Sequence, residues 1–535
     1  MYESRYFSAD SASAVRNPWI GTSFPGGREM IDLRIDNAAV ITLDRQRREL
    51  DRASIAIHEG RIVDIILPAD PLPPARKTLD AQGCVALPGL INTHTHVYQA
   101  LLEGIGYDMH FDPWNWRFNF PIASQIGPEH AEAGAQLAAL EMIKSGTTTV
   151  SDHWYLHNDF ASIHRVAQVF RQAGLRHHVV YGLLDQSFAG DHIAFEDMAM
   201  IRREEELVAE AEAFIARWHR RGRTVVALGP GSTEDISDRL MAKTIEMARS
   251  RGLQLATHVA GWAEIVSRSL KHYARRDLEH VHDIGLTGPD TILIHAVWLS
   301  PREIQIVAET DSKVAHCPVA NAHLGYGVAP VAELRVQGVA VGLGTDGAAS
   351  YTYDLFEVMK TAAMLQKVRH LDAEVLTAED VLEMATVDGA RVLGLETVTG
   401  CLEPGKEADL ILVDLRRPHL LPGGQRVPKL VYSARGHDVV TSVIGGQVVM
   451  ENRRVLTLDE RAVLQRAQEA VADLVARAGR ETRDLLAAPW PEEGPRWRKA
   501  VRPEWFDDQS QVDAERAAGS HHEGTEKVGD LATVD

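Results

Sequence analysis

Five residues that could do metal or proton chemistry each close an apolar run. His94 and His96 end residues 85–91, His258 ends 252–257, His295 ends 290–294 and Asp346 ends 339–345. Residues two apart on a strand point to the same side, so the His94 and His96 imidazoles can converge on one point. Neutral imidazole is the commonest ligand for divalent transition ions, and a catalytic site keeps one coordination position open for water. Any one of these residues could equally be a packed histidine or a capping aspartate, but the shared pattern points to a metal-dependent hydrolase. In that reading His94, His96, His258 and Asp346 hold one divalent ion, which lowers the pKa of a bound water from about 16 toward about 7. Asp346 also accepts that water's proton. His295 polarises or orients the substituent on the attacked carbon, with a fifth metal ligand as its alternative role. Three histidines and one aspartate suit zinc or iron almost equally, zinc being the first choice.

For these residues to meet, their strands must end on one face. Helical stretches at 237–251, 264–283 and 332–337 precede or separate the strands, and strands alternating with helices imply a parallel sheet with right-handed crossovers. Eight such strands close into a barrel whose catalytic residues come from several strand ends. The run 85–91 lacks alternation and reads as one strand buried on both faces. By contrast, residues 31–36 alternate, 54–58 lead into a Glu59-Gly60 turn, and the same antiparallel texture returns at 408–414 and 443–449. The expected organisation is therefore a poorly ordered extension (1–30), antiparallel β-sheet at both chain ends (31–84 and 396–456), a (β/α)8 TIM-like barrel (85–395), and a C-terminal helix with a flexible tail (457–535). His521 and His522 fall in that tail and carry little weight as ligands.

Composition agrees. The 535-residue chain has a formal charge of −19, which argues against nucleic acid as a partner. It has no run of 18 apolar residues, and its first 28 residues lack a basic segment followed by an apolar one. Three scattered cysteines, Cys84, Cys317 and Cys401, read as reduced, packed thiols. The expectation is a cytoplasmic protein without membrane partners, a homodimer or higher homo-oligomer acting on a small molecule.

The segments Pro88-Gly89-Leu90-Ile91-Asn92-Thr93-His94-Thr95-His96, Ser145-Gly146-Thr147-Thr148-Thr149, Thr257-His258, His316-Cys317-Pro318 and Gly344-Thr345-Asp346-Gly347 carry a resemblance. The chain resembles the amidohydrolase superfamily, in the branch of S-adenosylhomocysteine and 8-oxoguanine deaminases and of triazine hydrolases such as atrazine chlorohydrolase. The resemblance implies that 31–84 and 396–456 form one small β-sandwich domain built from both chain ends, and that the chemistry is hydrolytic deamination, or amine release, at a ring carbon of a nitrogen heterocycle. It implies ring contact by Gln99 and an aromatic lid in the first loop, where Trp114 and Trp116 lie. His153 closes the second strand and faces the expected mouth, and Ser350 begins an altered segment after Asp346.

One departure matters for chemistry. Relatives carry a glutamate three residues after the strand-five histidine, and it protonates the ring and the leaving amine; here that position is Gly261. An amide anion is a very poor leaving group, and a missing general acid typically costs about 10²–10⁴-fold. Glu264 or His153 could act as the surrogate acid. Alternatively the substrate loses a group needing no acid, as in hydrolytic dehalogenation, or the protein binds a ligand without turnover.

Overall fold

The computed structural model describes residues 30–186 and 202–487. Eight parallel strands follow one another around a barrel: β1 (Leu90–Thr95), β2 (Thr147–Trp154), β3 (Arg176–Gly182), β4 (Thr224–Gly229), β5 (Leu255–Val259), β6 (Thr291–His295), β7 (Lys313–His316) and β8 (Val341–Leu343). The seam between β8 and β1 closes just beyond β8, through a parallel bridge between Thr95 and Asp346. The Thr345 and Asp346 N–H groups donate to Asn92 Oδ1 (3.1 Å) and His94 O (3.0 Å), and Asn92 Nδ2 donates to Thr345 Oγ1 (2.8 Å). A candidate metal ligand is thus part of the barrel's closure.

Helices on the outside return the chain between strands. Helix Ala161–Ala173 buries Ile163, Val166, Ala167 and Phe170, a stripe at helical period. Ser237 caps helix Asp238–Ser250, and a Ser300/Glu303 capping box starts helix Pro301–Glu309. The barrel interior is filled by Ile91, Val180, Ala227, Ala256, Ile292 and Ala315. The stretch 264–283, read from sequence as one helix, is two: Ala263–Tyr273 and Asp277–Asp283, broken where Ala274 takes a left-handed φ of 54°.

The second unit is a nine-stranded mixed sheet. Ile31–Ile41 pairs antiparallel with Glu49–His58 and parallel with Ala75–Asp80 and Cys84–Pro88. Cys84–Pro88 then pairs antiparallel with Leu410–Asp414, which continues into Val439–Ile444 and Gln447–Glu451. The run 85–91 is therefore two strands, not one, and only its second part enters the barrel. Pro88 has no N–H to extend a ladder, and a Cβ at Gly89 would lie 2.2 Å from the Thr148 side chain, so the chain can turn there only with glycine. The sheet has its own core, including Leu33, Ile35, Ile55, Ile57, Leu410 and Leu412. It is tied to the barrel by Arg176 at the start of β3, whose guanidinium reaches Asp409 Oδ2 and Glu407 Oε2, both at 2.8 Å. The three cysteines are free and buried. No helix among the described residues is long and apolar enough to cross a membrane.

Candidate active site

At the C-terminal mouth of the barrel, ligand atoms of His94, His96, His258 and Asp346 all lie within 4.8 Å of one another. Asp346 Oδ1 is 3.4 Å from His94 Nε2 and 3.5 Å from His96 Nε2, and His258 Nε2 is 3.2 Å from His94 Nε2. The second nitrogens set the tautomers. His96 Nδ1 donates to the His153 carbonyl (2.8 Å) and His258 Nδ1 to the Gly231 carbonyl (2.5 Å). The Nε2 lone pairs of His96 and His258 thereby point into the cluster, toward the Asp346 carboxylate and the His94 Nε2 respectively, an arrangement that fits a divalent ion held among them. Burial lowers the His94 pKa to about 4 and keeps His258 well below its ordinary value, so both rings are neutral, as ligands must be. Burial opposes ionisation of Asp346, but its hydrogen bond to His94 and its electrostatic interaction with the surrounding His295, His94 and His96 rings hold the carboxyl well below the usual range.

Left-handed backbone turns the chain at three of these strand ends. Ala260, His295, Ala296 and Asp346 have φ of 46°, 70°, 51° and 64°. Such strain in residues with side chains is stored mainly where function demands it.

His295 sits beside the cluster, with Nε2 3.8 Å from Asp346 Oδ2. Its Nδ1 donates to Asn321 Oδ1 (2.9 Å), which leaves Nε2 an acceptor. Asn321, on the short helix Pro318–His323 after β7, is thus the residue that orients His295. Gly261 lies against the same ring: a Cβ built there would be 3.2 Å from His295 Cδ2.

The other expected site residues divide. Gln99, Trp114 and Trp116 line a cavity that is also lined by His96, His258, His295 and Asp346. Gln99 Oε1 accepts the Ala348 N–H (3.0 Å) and so also holds the loop after Asp346. Three residues are not brought to that cavity. Glu264 is exposed in the first turn of helix Ala263–Tyr273, where a carboxylate complements the helix dipole. His153 is fully buried, its ring stacked 5.3 Å from that of His258, because β2 turns it into the barrel rather than toward the mouth. Ser350 turns its hydroxyl back onto the Gly347 and Thr352 carbonyls (2.8 and 2.9 Å).

Sequence reasoning missed part of the wall. Phe111, Trp262 and Tyr326 form an aromatic side, with rings 4.7 Å (Phe111–Trp262) and 5.5 Å (Trp262–Tyr326) apart, and Tyr326 meets the His295 ring at 5.6 Å. Two acidic residues, Glu234 and Asp235, in the loop after β4, line the same cavity. Arg268, on helix Ala263–Tyr273, clamps Glu234 Oε1 (2.5 Å) and Asp112 Oδ2 (2.8 Å), joining that helix to the loop after β4 and to the short helix Phe111–Trp114. The available signal was the strand at 224–229 followed by an acidic pair, the same placement that exposed the histidines.

This barrel and its four-donor cluster define a metal-dependent hydrolase architecture. The Amidohydrolase family model matches residues 85–449, and the chain belongs to that family. It is 36% identical over 451 residues to a 5'-deoxyadenosine deaminase of Methanosarcina mazei, covering 84% of this chain and 99% of that one. It is 37% identical over 446 residues to a 5-methylthioadenosine/S-adenosylhomocysteine deaminase of Syntrophobacter fumaroxidans, covering 83% and 98%. Among solved structures, a zinc-bound adenosine deaminase from Xanthomonas campestris superposes with a TM-score of 0.79 at 28% identity, over 84% of this chain and 100% of that one. A zinc complex of atrazine chlorohydrolase from Arthrobacter aurescens superposes with a TM-score of 0.75 at 25% identity, over 82% and 100%.

Proposed function

We propose that the chain is a zinc-dependent aminohydrolase that replaces the ring amino group of an adenine-type nucleoside with oxygen and releases ammonia. The observation that carries this reading is the convergence of His94, His96, His258 and Asp346 at the floor of a cavity with an aromatic wall. The names of the deaminase relatives supply the substrate class. A divalent ion held by these four residues would supply hydroxide at neutral pH.

The chain's own groups do the rest. Asp346 accepts the proton of the attacking water and returns it to the departing nitrogen. His295 Nε2, left as an acceptor by its bond to Asn321, orients that water or an amino N–H of the substrate. Trp262, Tyr326 and Phe111 give a flat heterocycle an apolar face. With glycine at 261, one carboxylate serves both proton transfers.

That same glycine favours a second reading, release of a group that leaves without a proton, such as a halide. The test is a zinc-loaded assay of ammonia release from 5'-deoxyadenosine, 5'-methylthioadenosine and S-adenosylhomocysteine, beside chloride release from 6-chloropurine riboside and a chlorotriazine. Ammonia release from at least one aminopurine is expected. Chloride release without ammonia from any of them would replace the first reading with the second.

A further inference from the structure

We propose that His419, His437 and Asp438 form a second metal site, separate from the catalytic cluster, that takes a borderline divalent ion of the zinc class. The three side chains come from two short 3-10 turns, Pro418–Leu420 and Gly436–Asp438. These turns stand at the two ends of the long connection between strands Leu410–Asp414 and Val439–Ile444, and they bring one ligand atom from each residue within 4.8 Å of the others. Asp438 is fully buried. Its Oδ2 accepts His419 Nε2–H (2.7 Å) and the Arg435 N–H (3.0 Å).

Asp438 Oδ1 is the telling atom. Among the described residues it has no hydrogen-bond donor although it is sealed from water, and it faces His437 Nε2 at 3.4 Å. Buried carboxylate oxygens are almost always satisfied, and an orphan calls for a partner. A histidine–aspartate pair accounts for the 2.7 Å contact but not for the second imidazole over the second oxygen. The neighbouring cation, Arg453, spends a guanidinium nitrogen on the Gly436 and Val439 carbonyls (2.8 and 3.0 Å). Two imidazoles and one carboxylate are a donor set for zinc, cobalt or nickel, and their open positions would be filled by water. The entrance is from solvent, since the His437 side chain is 55% exposed and that of His419 27%. A bound ion would join the two ends of the 419–437 excursion.

This site does not rest on the catalytic reading, and its test is a difference in stoichiometry. The full chain is stripped with a chelator and dialysed at pH 7.5 against about 10 µM free Zn²⁺, a level suited to a solvent-accessible three-ligand site. Bound zinc is then counted by mass spectrometry. His419→Gln/His437→Gln is expected to hold one equivalent less than the wild type with unchanged turnover. His94→Ala is expected to keep that equivalent and to lose it when all three substitutions are combined. Because only the difference is read, zinc on His521 and His522 does not enter. Should the double variant fold poorly, the exposed His437→Gln alone is read in the same way, and Co²⁺ loaded into His94→Ala should show ligand-field absorption that His437→Gln removes. Equal zinc content in wild type and variants, or cobalt absorption indifferent to His437, overturns the proposal.

Discussion

The least conspicuous catalytic-face residue is Asn321, because its effect runs through His295. By accepting Nδ1–H it fixes which imidazole nitrogen faces Asp346, so its loss should cost orientation rather than binding. Asn321→Ala is expected to lower kcat by roughly 10–100-fold with KM little changed; a rise in KM at constant kcat would make it a packing residue. Asp346→Asn should do more. It weakens the metal site and removes the proton carrier together, so turnover should fall by at least about 10³-fold, with far-UV circular dichroism unchanged. Glu264→Gln, outside the cavity, should leave kcat/KM unaltered for amine and halide substrates alike. Gly261→Glu is the informative exchange. Its Cβ crowds His295 at 3.2 Å, so the ring must shift by a few tenths of an ångström before an added acid can help. If amine release nevertheless improves while halide release does not, the natural leaving group is not an amine.

At the scale of elements, the turn after β5 is pinned from a distance. The Ala260 N–H donates to Asp277 Oδ2 (2.5 Å), so a buried carboxylate on helix Asp277–Asp283 holds the left-handed turn that follows His258. Burial, with Glu303 adding repulsion, raises the Asp277 pKa from 3.8 to about 6, against the pull of the Ala260 N–H and Arg276. The folded chain therefore binds this proton more tightly than the unfolded one. The associated stability is present below pH 3.8 and lost as pH rises through about 6. Asp277→Asn keeps the acceptor without the charge and should be the more stable protein at pH 8, by on the order of 1–3 kcal/mol, the gap narrowing toward pH 5 in urea melts. A wild type more stable at pH 8 would mean that the ionised hydrogen bond outweighs burial. This contact also shows what was legible in the sequence. The four candidate metal ligands were, because each ends an apolar strand and the strands share one direction. Asp277, Glu234 and Arg268 were not, because their roles depend on loops and helix faces meeting across the mouth, which no period of two or 3.6 residues encodes. His153 was misplaced for a related reason: strand alternation tells that a residue faces inward, but not how deep in the barrel it lies.

At the scale of the molecule, stability and chemistry reside in different places, and the two can be removed separately. The cluster residues sit at strand ends, while the packed interior lies below them and the mixed sheet has its own core. Stripping the metal should therefore abolish turnover yet lower the unfolding free energy only by what ligand binding contributes, roughly 3–4 kcal/mol at saturating zinc, with Tm falling accordingly and the barrel's circular dichroism intact. Arg176→Met should do the reverse. Arg176 and Asp409 are 4% and 1% exposed, and the substitution leaves Asp409 buried with, among the described residues, only the Gly445 N–H (2.7 Å) still facing its carboxylate. Breaking a buried pair from one side typically costs about 3–5 kcal/mol, and here the cost falls on the joint between β3 and the sheet made by both chain ends. The variant should melt earlier, while kcat/KM per folded molecule and zinc content at the catalytic cluster stay at the wild-type level. If its remaining folded fraction also loses turnover, the mixed sheet would be shaping the barrel mouth as well as supporting it, and the separation between joint and site would be wrong.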